Sequence, residues 1–375
     1  MKLDLTLLGL TALFAGSNAA PTWPSPLDEL EDVMFLHTGY KSRGLATHVT
    51  PCSYSEFGPG RQTSAEWLRM GFHDMATANA YREPAGGLDA SIAFELTNGE
   101  NVGTGFASAL TTFSPYVNKQ LPMADMIALG VYMSVRTCGG PSIPMRGGRK
   151  DATTANEPGV PQTNDGVTVF RSRFFRMGFT ATDMIQMVAC GHTLGGVHSV
   201  NFPAIVPPGT APDGYQLFDN SAVFDNAIAT RYINGPDTDA LSTGPAVGSR
   251  SDKAVFLADT NVTLNAMTDA ATFNSMCSSI LQRMIEVKPT AVTLSEIIAP
   301  YEVKPSVQLT LLDGGDQIRF AGEIRVRTTT RASAGVQIVY KTRTGGTGGT
   351  IVGVPAGTAN GFDDSFAVSL HVSRV

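Results

Sequence analysis

The sequence predicts a mainly α-helical domain followed by a small β-rich module. Two observations predict this class. Between about Thr63 and Pro300 apolar residues recur three and four positions apart, and after Pro300 they alternate with polar residues. With 375 residues the chain is long enough for a large core that encloses a cofactor. We therefore predict a helical domain over 20–300 and a β-rich module over 301–375.

Four segments show the helical period most clearly and have Ser, Thr or Asp near their starts. They are 65–77, 124–137, 182–189 and 265–287. Stretches rich in Pro and Gly lie between them, such as 139–166 and 200–214, and predict long ordered loops.

The alternating segments of the C-terminal module predict half-buried strands separated by Gly-rich turns. They are 307–311, 318–320, 324–326, 336–340 and 366–372. The module contains no cysteine and no cluster of reactive side chains, which favours a packing role over ligand binding.

Residues 1–19 have the features of a secretory signal peptide: Lys2, an apolar run over 3–15, and small residues at 16–19. The run is too short to span a bilayer, so export is favoured over a membrane anchor. A net charge of −6 argues against a nucleic-acid partner. Asn261 begins a sequon for N-glycosylation, which is compatible with export.

Export also changes the interpretation of the four cysteines, since an even number in an oxidising compartment indicates disulfides. The sequence alone allows three pairings among Cys52, Cys138, Cys190 and Cys277.

Arg69 and His73 lie four residues apart in the segment RMGFHD, 69–74, so a helix places both on one face. A neutral imidazole can take a proton from one oxygen of a peroxide and return it to the other, while a guanidinium stabilises the developing negative charge. The same spacing is common on ordinary helix surfaces. The neighbouring residues must therefore decide between the two interpretations.

Those neighbours favour a site. Asp74, Gly87, Asp89 and Ser91 supply carboxylates, a hydroxyl and loop carbonyls that suit a hard cation such as calcium. Asn101 can accept a hydrogen bond from one ring nitrogen of His73, which leaves the other nitrogen free as a base.

His192 ends a helical segment and stands between Gly191 and Gly195, small residues that let a bulky planar group approach closely. A buried structural histidine is the alternative interpretation. We keep that interpretation for His37, His48, His198 and His371.

Six short motifs occur in the order found in plant-type haem peroxidases, the superfamily of plant, fungal and bacterial enzymes. They are Arg69 with Phe72, His73 and Asp74; Gly87 with Asp89 and Ser91; Glu95 to Asn101; 124–129; 148–151; and 191–195. The chain resembles this superfamily from about Thr63 to Val287, and Phe72 and Phe218 resemble its secreted fungal branch.

The resemblance implies a role for each matching position. His73 corresponds to the distal base, Arg69 to the distal cation, Asn101 to the partner of His73, and Glu95 to a hydrogen-bonding residue behind them. His192 corresponds to the iron ligand. Asp252 corresponds to the aspartate that makes this ligand electron-rich, and Phe218 lies beside it.

The resemblance also implies one haem b, two calcium ions and a pairing of the cysteines. Asp74, Gly87, Asp89 and Ser91 match the distal calcium site. Thr193, Asp219, Ser221 and Asp225 match the proximal one, although the spacing from Asp219 to Asp225 is one residue shorter than usual. The fungal branch pairs cysteines near Cys52 and Cys138, which leaves Cys190 with Cys277.

Two specialised activities of the superfamily are not supported by the sequence. Of the three acidic manganese positions only Glu66 matches, since the other two are Gln62 and His198. Met187 stands where the lignin-oxidising branch carries a surface tryptophan.

The resemblance thus implies a secreted, monomeric peroxidase that reduces hydrogen peroxide to water through a ferryl intermediate and oxidises small phenol-like donors, with no membrane partner. A haem-binding protein with little turnover is the first alternative. A glycan- or wall-binding protein that acts through its β module is the second.

Overall fold

A computed structural model of the chain describes residues 24–82, 86–312, 314–315, 317–331, 335–341, 344–346 and 348–374. The predicted signal segment, 1–19, lies outside the described residues. The chain divides into two compact units. A helical unit comprises Glu29–His37 and Arg43–Ile298, and a β unit comprises Thr38–Ser42 together with the described parts of Met1–Asp28 and Ala299–Val375.

The predicted class, a helical domain with a C-terminal β-rich module, is confirmed. Within the described residues the α-helices are α1 Asp28–Phe35, α2 Thr63–Met75, α3 Gly105–Phe113, α4 Met123–Thr137, α5 Val167–Arg176, α6 Ala181–His192, α7 Ala227–Asn234, α8 Ala240–Thr243, α9 Ser251–Phe256, α10 Val262–Ala266 and α11 Ala270–Glu286. Among these described helices none is long and apolar enough to cross a membrane.

The segment predicted as one helix over 265–287 is in fact two, α10 and α11. Asp269 separates them because its backbone is extended and its side chain accepts a hydrogen bond from the amide of Thr272 at 2.8 Å. This N-cap satisfies an amide that has no partner within the helix and fixes the start of α11.

Close helix packing positions the segment that carries Arg69 and His73. Helix α2 packs against α4, and the contact requires a glycine at position 71, since a Cβ there would lie 2.3 Å from Cγ2 of Val131. Gly130 of α4 is similarly close to the ring of Phe113. Helix α4 therefore approaches α2 through Gly71 and α3 through Gly130, which leaves little freedom in the position of α2.

Helix α6, which ends at His192, is fixed at both ends. A capping box joins Thr180 and Asp183 at its start, and Arg283 of α11 forms an ion pair with Asp183. Near its end the disulfide Cys190–Cys277 links α6 to α11. The other disulfide joins Cys52 and Cys138, so the structure contains the pairing that the resemblance implies.

A buried ion pair stabilises the crossing of α4 with the loop over 148–151. Arg149 and Asp125 are 1% exposed at their side chains, and their charged atoms are 2.8 Å apart. Arg149 also donates to the carbonyl of Ile285 at 2.6 Å, and Asp125 accepts from the amide of Gly148 at 2.8 Å. Asp151 accepts from the amide of Ala124 at 2.8 Å and so caps α4.

The β unit is built on a five-stranded antiparallel sheet of β1 Thr38–Gly39, β4 Val303–Leu311, β5 Ile318–Arg327, β8 Val354–Asn360 and β9 Ser365–Arg374. These strands lie in the order β1-β8-β9-β5-β4. A separate ribbon pairs β6 Gln337–Val339 with β7 Thr350–Val352. In the helical unit a second ribbon joins β2 Gly196–His198 and β3 Tyr215–Leu217.

Three strands of the β unit, β1, β7 and β8, were not predicted, and neither were β2 and β3 of the helical unit. Strand β1 comes from the N-terminal part of the chain and pairs Thr38 with Asn360. The predicted boundaries, 20–300 and 301–375, take no account of this early segment, because two residues are too few to show an alternating pattern.

The buried ion pair gives a test of stability. Asp125→Ala should lower the free energy of unfolding by about 3–5 kcal/mol, because Arg149 keeps its charge in the interior without a partner. Chemical denaturation of the purified protein measures this loss.

Arg82→Ala is the matched control, since Arg82 pairs with Glu157 at the surface with 65% and 68% of the side chains exposed. It should cost less than about 1 kcal/mol. Equal losses in the two variants would mean that Arg149 finds another partner or that Asp125 is not needed for the crossing.

Candidate active site

His73 and Asn101 are brought together from α2 and the loop before α3. The ring Nδ1 of His73 lies 2.8 Å from Oδ1 of Asn101. The amide group of Asn101 is itself oriented, because its Nδ2 donates to the backbone carbonyl of Glu95 at 2.9 Å. Nδ1 of His73 is therefore the protonated nitrogen, and Nε2 keeps its lone pair.

Arg69 lies one turn before His73, and both side chains contact the ring of Phe106. The guanidinium carbon of Arg69 is 4.4 Å from the centroid of this ring, and the ring of His73 is 4.7 Å from it. Arg69 also donates to the carbonyl of Val102 at 3.0 Å. The cation and the imidazole thus share one aromatic neighbour, and their spacing of four residues places both on the same face of α2.

Burial changes the proton affinity of both groups. The pKa of His73 is well below its usual value, first because the ring is buried and second because Arg69 repels a positive charge. Burial also lowers the pKa of Arg69, to about 10, so the guanidinium stays charged at neutral pH. The site therefore combines a neutral base with a permanent cation.

His192 is held by a carboxylate from α9. Its Nδ1 donates to Oδ2 of Asp252 at 2.5 Å, and Asp252 is almost fully buried. The ring of His192 stacks on Phe218 with 4.4 Å between centroids and 17° between planes. Phe218 directly follows β3, and its amide donates to the carbonyl of Gly195 at 3.1 Å, so the ribbon fixes the stacked ring.

The residues around His192 fit a haem iron. Among the described residues Nε2 of His192 has no hydrogen-bond partner. The side chain of His192 is 33% exposed. A Cβ placed at Gly191 would meet no atom within 4 Å, so there is open space at the residue before His192. An oriented imidazole with a free Nε2 is the donor that haem iron takes.

The predicted distal calcium residues are close together. Oδ2 of Asp74 accepts from the amides of Asp89 and Ala90 at 2.9 and 2.8 Å, and Oδ1 accepts from Ile92 at 2.9 Å. Asp89 in turn accepts from the amide of Ser91 at 3.2 Å. Burial, together with the charge of Asp89, raises the pKa of Asp74 to about 8. Gly87 lies in the same loop, where its amide contacts Thr77.

The predicted proximal calcium residues form two contacting pairs. Asp219 accepts from the hydroxyl of Ser221 at 2.8 Å, and the hydroxyl of Thr193 donates to the carbonyl of Asp225 at 2.6 Å. The second oxygen of Asp219 is buried and has no hydrogen-bond partner within the described ranges. Burial, together with the charge of Asp225, raises the pKa of Asp219 to about 6.

Both calcium candidates would depend on oxygens other than carboxylates. In the described part of the chain no three His, Cys, Asp or Glu side chains converge as a metal site. Each of the two sets contains two aspartates, so hydroxyl and backbone carbonyl oxygens would have to complete the shell, as calcium accepts.

Glu66, Gln62 and His198, the three positions considered for manganese, contact other protein groups. Both carboxylate oxygens of Glu66 bind Arg61, at 2.6 and 2.8 Å. Gln62 accepts from the amide of Gly195, and His198 bonds to the carbonyl of Gly60. Met187 is buried. These contacts agree with the absence of the two specialised motifs.

Three residues around these histidines were not predicted. They are Phe106, which contacts Arg69 and His73; Asn156, whose side chain donates to both oxygens of Asp89 and whose amide donates to Glu95; and Asp239, which lies against Asp252. Each lies far along the chain from the group it contacts or has no distinctive local pattern. Asn261, the predicted glycosylation site, is half-buried at the start of α10.

Comparison with known proteins gives the following matches. A family model described as peroxidase matches residues 52–279, more than half of the chain. A WSC domain-containing protein of Arthroderma benhamiae is 50% identical over 98% of this chain and 52% of its own length. Peroxisomal L-ascorbate peroxidase 5 of Arabidopsis thaliana is 35% identical over 35% of this chain and 47% of its own length.

Peroxidase 22.3 of Oryza sativa subsp. japonica is 26% identical over 62% of this chain and 79% of its own length. The chain spans about half the length of the Arthroderma and Arabidopsis relatives.

The low pKa of His73 can be measured directly. Nitrogen NMR of the ring should show His73 neutral at pH 6.5, the usual pKa of histidine, because burial and Arg69 both disfavour its charged form. Arg69→Met should raise this pKa, since one of the two causes is removed.

Arg43→Met provides the control, because Arg43 pairs with Glu29 at 2.6 Å and lies outside the site. It should leave the titration of His73 unchanged. A ring of His73 that is charged at pH 6.5 in the unmodified protein would contradict its assignment as a neutral base.

Proposed function

The chain belongs to the peroxidase family, in the plant-type haem peroxidase superfamily, and we propose that it is a haem-dependent peroxidase that reduces hydrogen peroxide to water and oxidises small phenol-like donors. One observation carries this proposal. Two histidines, His73 and His192, each have Nδ1 held by another side chain, and each keeps an unbonded Nε2 among the described residues.

His192 would hold haem b through Nε2. The haem supplies the redox chemistry when it is bound. The protein would orient the ligand: Asp252 accepts a hydrogen bond from Nδ1, which keeps Nε2 as the donor atom and increases the electron density of the ring. Stacking against Phe218 limits rotation of the ring.

His73 and Arg69 would act on the peroxide. Nε2 of His73 would take a proton from one oxygen of hydrogen peroxide and return it to the other oxygen, which leaves as water. Arg69 stabilises the negative charge that develops on the leaving oxygen. Asn101 keeps the ring of His73 in the tautomer that this transfer needs.

The Arthroderma relative that matches 98% of this chain is named for a WSC domain and not for an activity. The proposal of an activity therefore rests on the family and on the residues of the site. We further propose that the protein is exported and acts as a monomer without a membrane partner. The signal-like residues 1–19 and the two disulfides support export, because disulfides persist in oxidising compartments.

Two calcium ions are part of the same proposal. Asp74 and Asp219 are buried carboxylates, and Oδ2 of Asp219 receives no hydrogen bond from the described residues, so a cation would offset the loss of solvation of their charged forms. Asp89 and Asp225 bring a second negative charge to each place.

The role of His73 is tested by its replacement. The His73→Ala variant, loaded with haem, should react with hydrogen peroxide more slowly by a factor of at least about 10²–10⁴, because it loses the general base. Stopped-flow absorption of the Soret band after mixing with peroxide measures this rate.

His48→Ala is the control, since His48 is a partly exposed histidine that pairs with Glu56 at 3.0 Å. It should react at the original rate. An unchanged rate in His73→Ala would overturn the distal assignment, and a haem protein that ignores peroxide would favour a binding protein with little turnover.

Removal of calcium should lower the melting temperature more at about pH 8 than at about pH 5. Without a cation, the raised pKa values mean that stability is present at low pH and is lost as the pH rises through about 6 for Asp219 and about 8 for Asp74. Calcium binds the ionised forms, so its stabilisation grows over the same range. Calorimetry with calcium and with a chelator measures both arms.

Asp219→Asn should lose part of the calcium effect and keep the remainder, which comes from the distal site. A melting temperature that is insensitive to the chelator at both pH values would contradict both calcium sites.

A further inference from the structure

Asp239 is a buried aspartate that the proposed mechanism does not use. It precedes α8, where its Oδ1 accepts from the amide of Leu241 at 2.8 Å and caps the helix. Only 1% of the residue is exposed. Its other oxygen, Oδ2, is buried and receives no hydrogen bond from any donor in the described residues.

The neighbour of this side chain is Asp252, which is also 1% exposed and lies on α9, the helix that packs against α8. Asp252 already has a fixed role, since its Oδ2 accepts from His192 at 2.5 Å and its Oδ1 accepts from the hydroxyl of Ser251 at 3.2 Å. Asp237, whose Oδ1 accepts from the amide of Asp239 at 3.0 Å, adds a further negative charge nearby.

Two ionised carboxylates in contact in a buried place repel each other strongly, and neither oxygen can donate to the other. One proton between them converts the repulsion into a charge-assisted hydrogen bond. The proton belongs on Asp239, because Asp252 is the acceptor for His192 and Ser251. In agreement, burial and the charge of Asp252 raise the pKa of Asp239 well above its usual value.

We infer that Asp239 is a positioning residue that carries a proton and donates a hydrogen bond to Asp252. This bond sets how strongly Asp252 accepts the hydrogen bond from Nδ1 of His192. The inference rests on the proposed function in one respect, namely that His192 ligates the haem iron.

A donor on Asp252 has a definite electronic effect. It withdraws electron density from the carboxylate, so Asp252 accepts less strongly from His192, and the imidazole is less electron-rich than it would be with Asp252 alone. Loss of the donor should therefore favour ferric over ferrous iron and lower the reduction potential. An asparagine at 239 can replace the protonated acid, because its amide can donate to Asp252 while its oxygen caps α8.

The proton on Asp239 is tested without reference to haem. The infrared difference spectrum between the unmodified full chain and Asp239→Asn at neutral pH should contain the carbonyl band of one protonated carboxylic acid, present only in the unmodified protein. No such band would overturn the inference. This measurement gives an answer whether or not the protein binds haem.

The effect on iron is tested by the reduction potential of the haem-loaded protein. Asp239→Ser keeps a capping oxygen for Leu241 but is too short to reach Asp252, so its ferric-to-ferrous equilibrium should shift toward ferric iron by about tenfold, or about 59 mV. Asp239→Asn should stay close to the unmodified protein. Asp269→Ser, which makes the same change at the cap of α11, is the control for lost capping and should not shift the potential.

Equal potentials in Asp239→Ser, Asp239→Asn and the unmodified protein would overturn the inference, and so would an equal shift in the two Asp239 variants. If Asp239→Ser does not fold, the infrared band and the potential of Asp239→Asn still decide. Failure to bind haem would count against the proposed function, whereas the infrared result would still decide whether Asp239 holds a proton.

Discussion

The hydrogen bond between His192 and Asp252 is the interaction on which the site depends. At 2.5 Å it fixes which ring nitrogen carries a proton and therefore which nitrogen can bind iron. Much of the surrounding structure maintains this bond. The disulfide Cys190–Cys277 attaches the end of α6 to α11, the capping box at Thr180 fixes its start, and the ring of Phe218 stacks on the imidazole. The orientation of the His192 imidazole is thus fixed by contacts among protein residues alone.

His73 is held in the same way, since its Nδ1 also donates to another side chain. Asn101 accepts from the ring as Asp252 does for His192, but an amide is neutral and leaves His73 a weaker base than a carboxylate would. Burial and the charge of Arg69 lower the pKa of His73, which keeps the ring neutral. In the proposed mechanism Asp252 would make His192 an electron-rich ligand and Asn101 would leave His73 a neutral base, and the difference lies in the charge of the acceptor.

Burial raises the pKa of a carboxyl group, whereas it lowers that of an imidazole. It raises the pKa of Asp74, Asp219 and Asp239 because an isolated negative charge is poorly solvated in the interior. Asp125 avoids this penalty by pairing with Arg149. Several of the short motifs that resemble the superfamily therefore consist of residues that hold the loops and helices, while the reacting groups are few.

The sequence by itself determined the local features: the helical period of α2, α4 and α6, the change to alternating strands after Pro300, and the helical spacing of Arg69 and His73. These depend on neighbours within a few residues. Only the tertiary structure decided what faces what, including Phe106 beside Arg69, Asp239 beside Asp252, and β1 beside β8. The physical reason is that contacts between distant segments follow from the packing of whole elements, which no local pattern encodes.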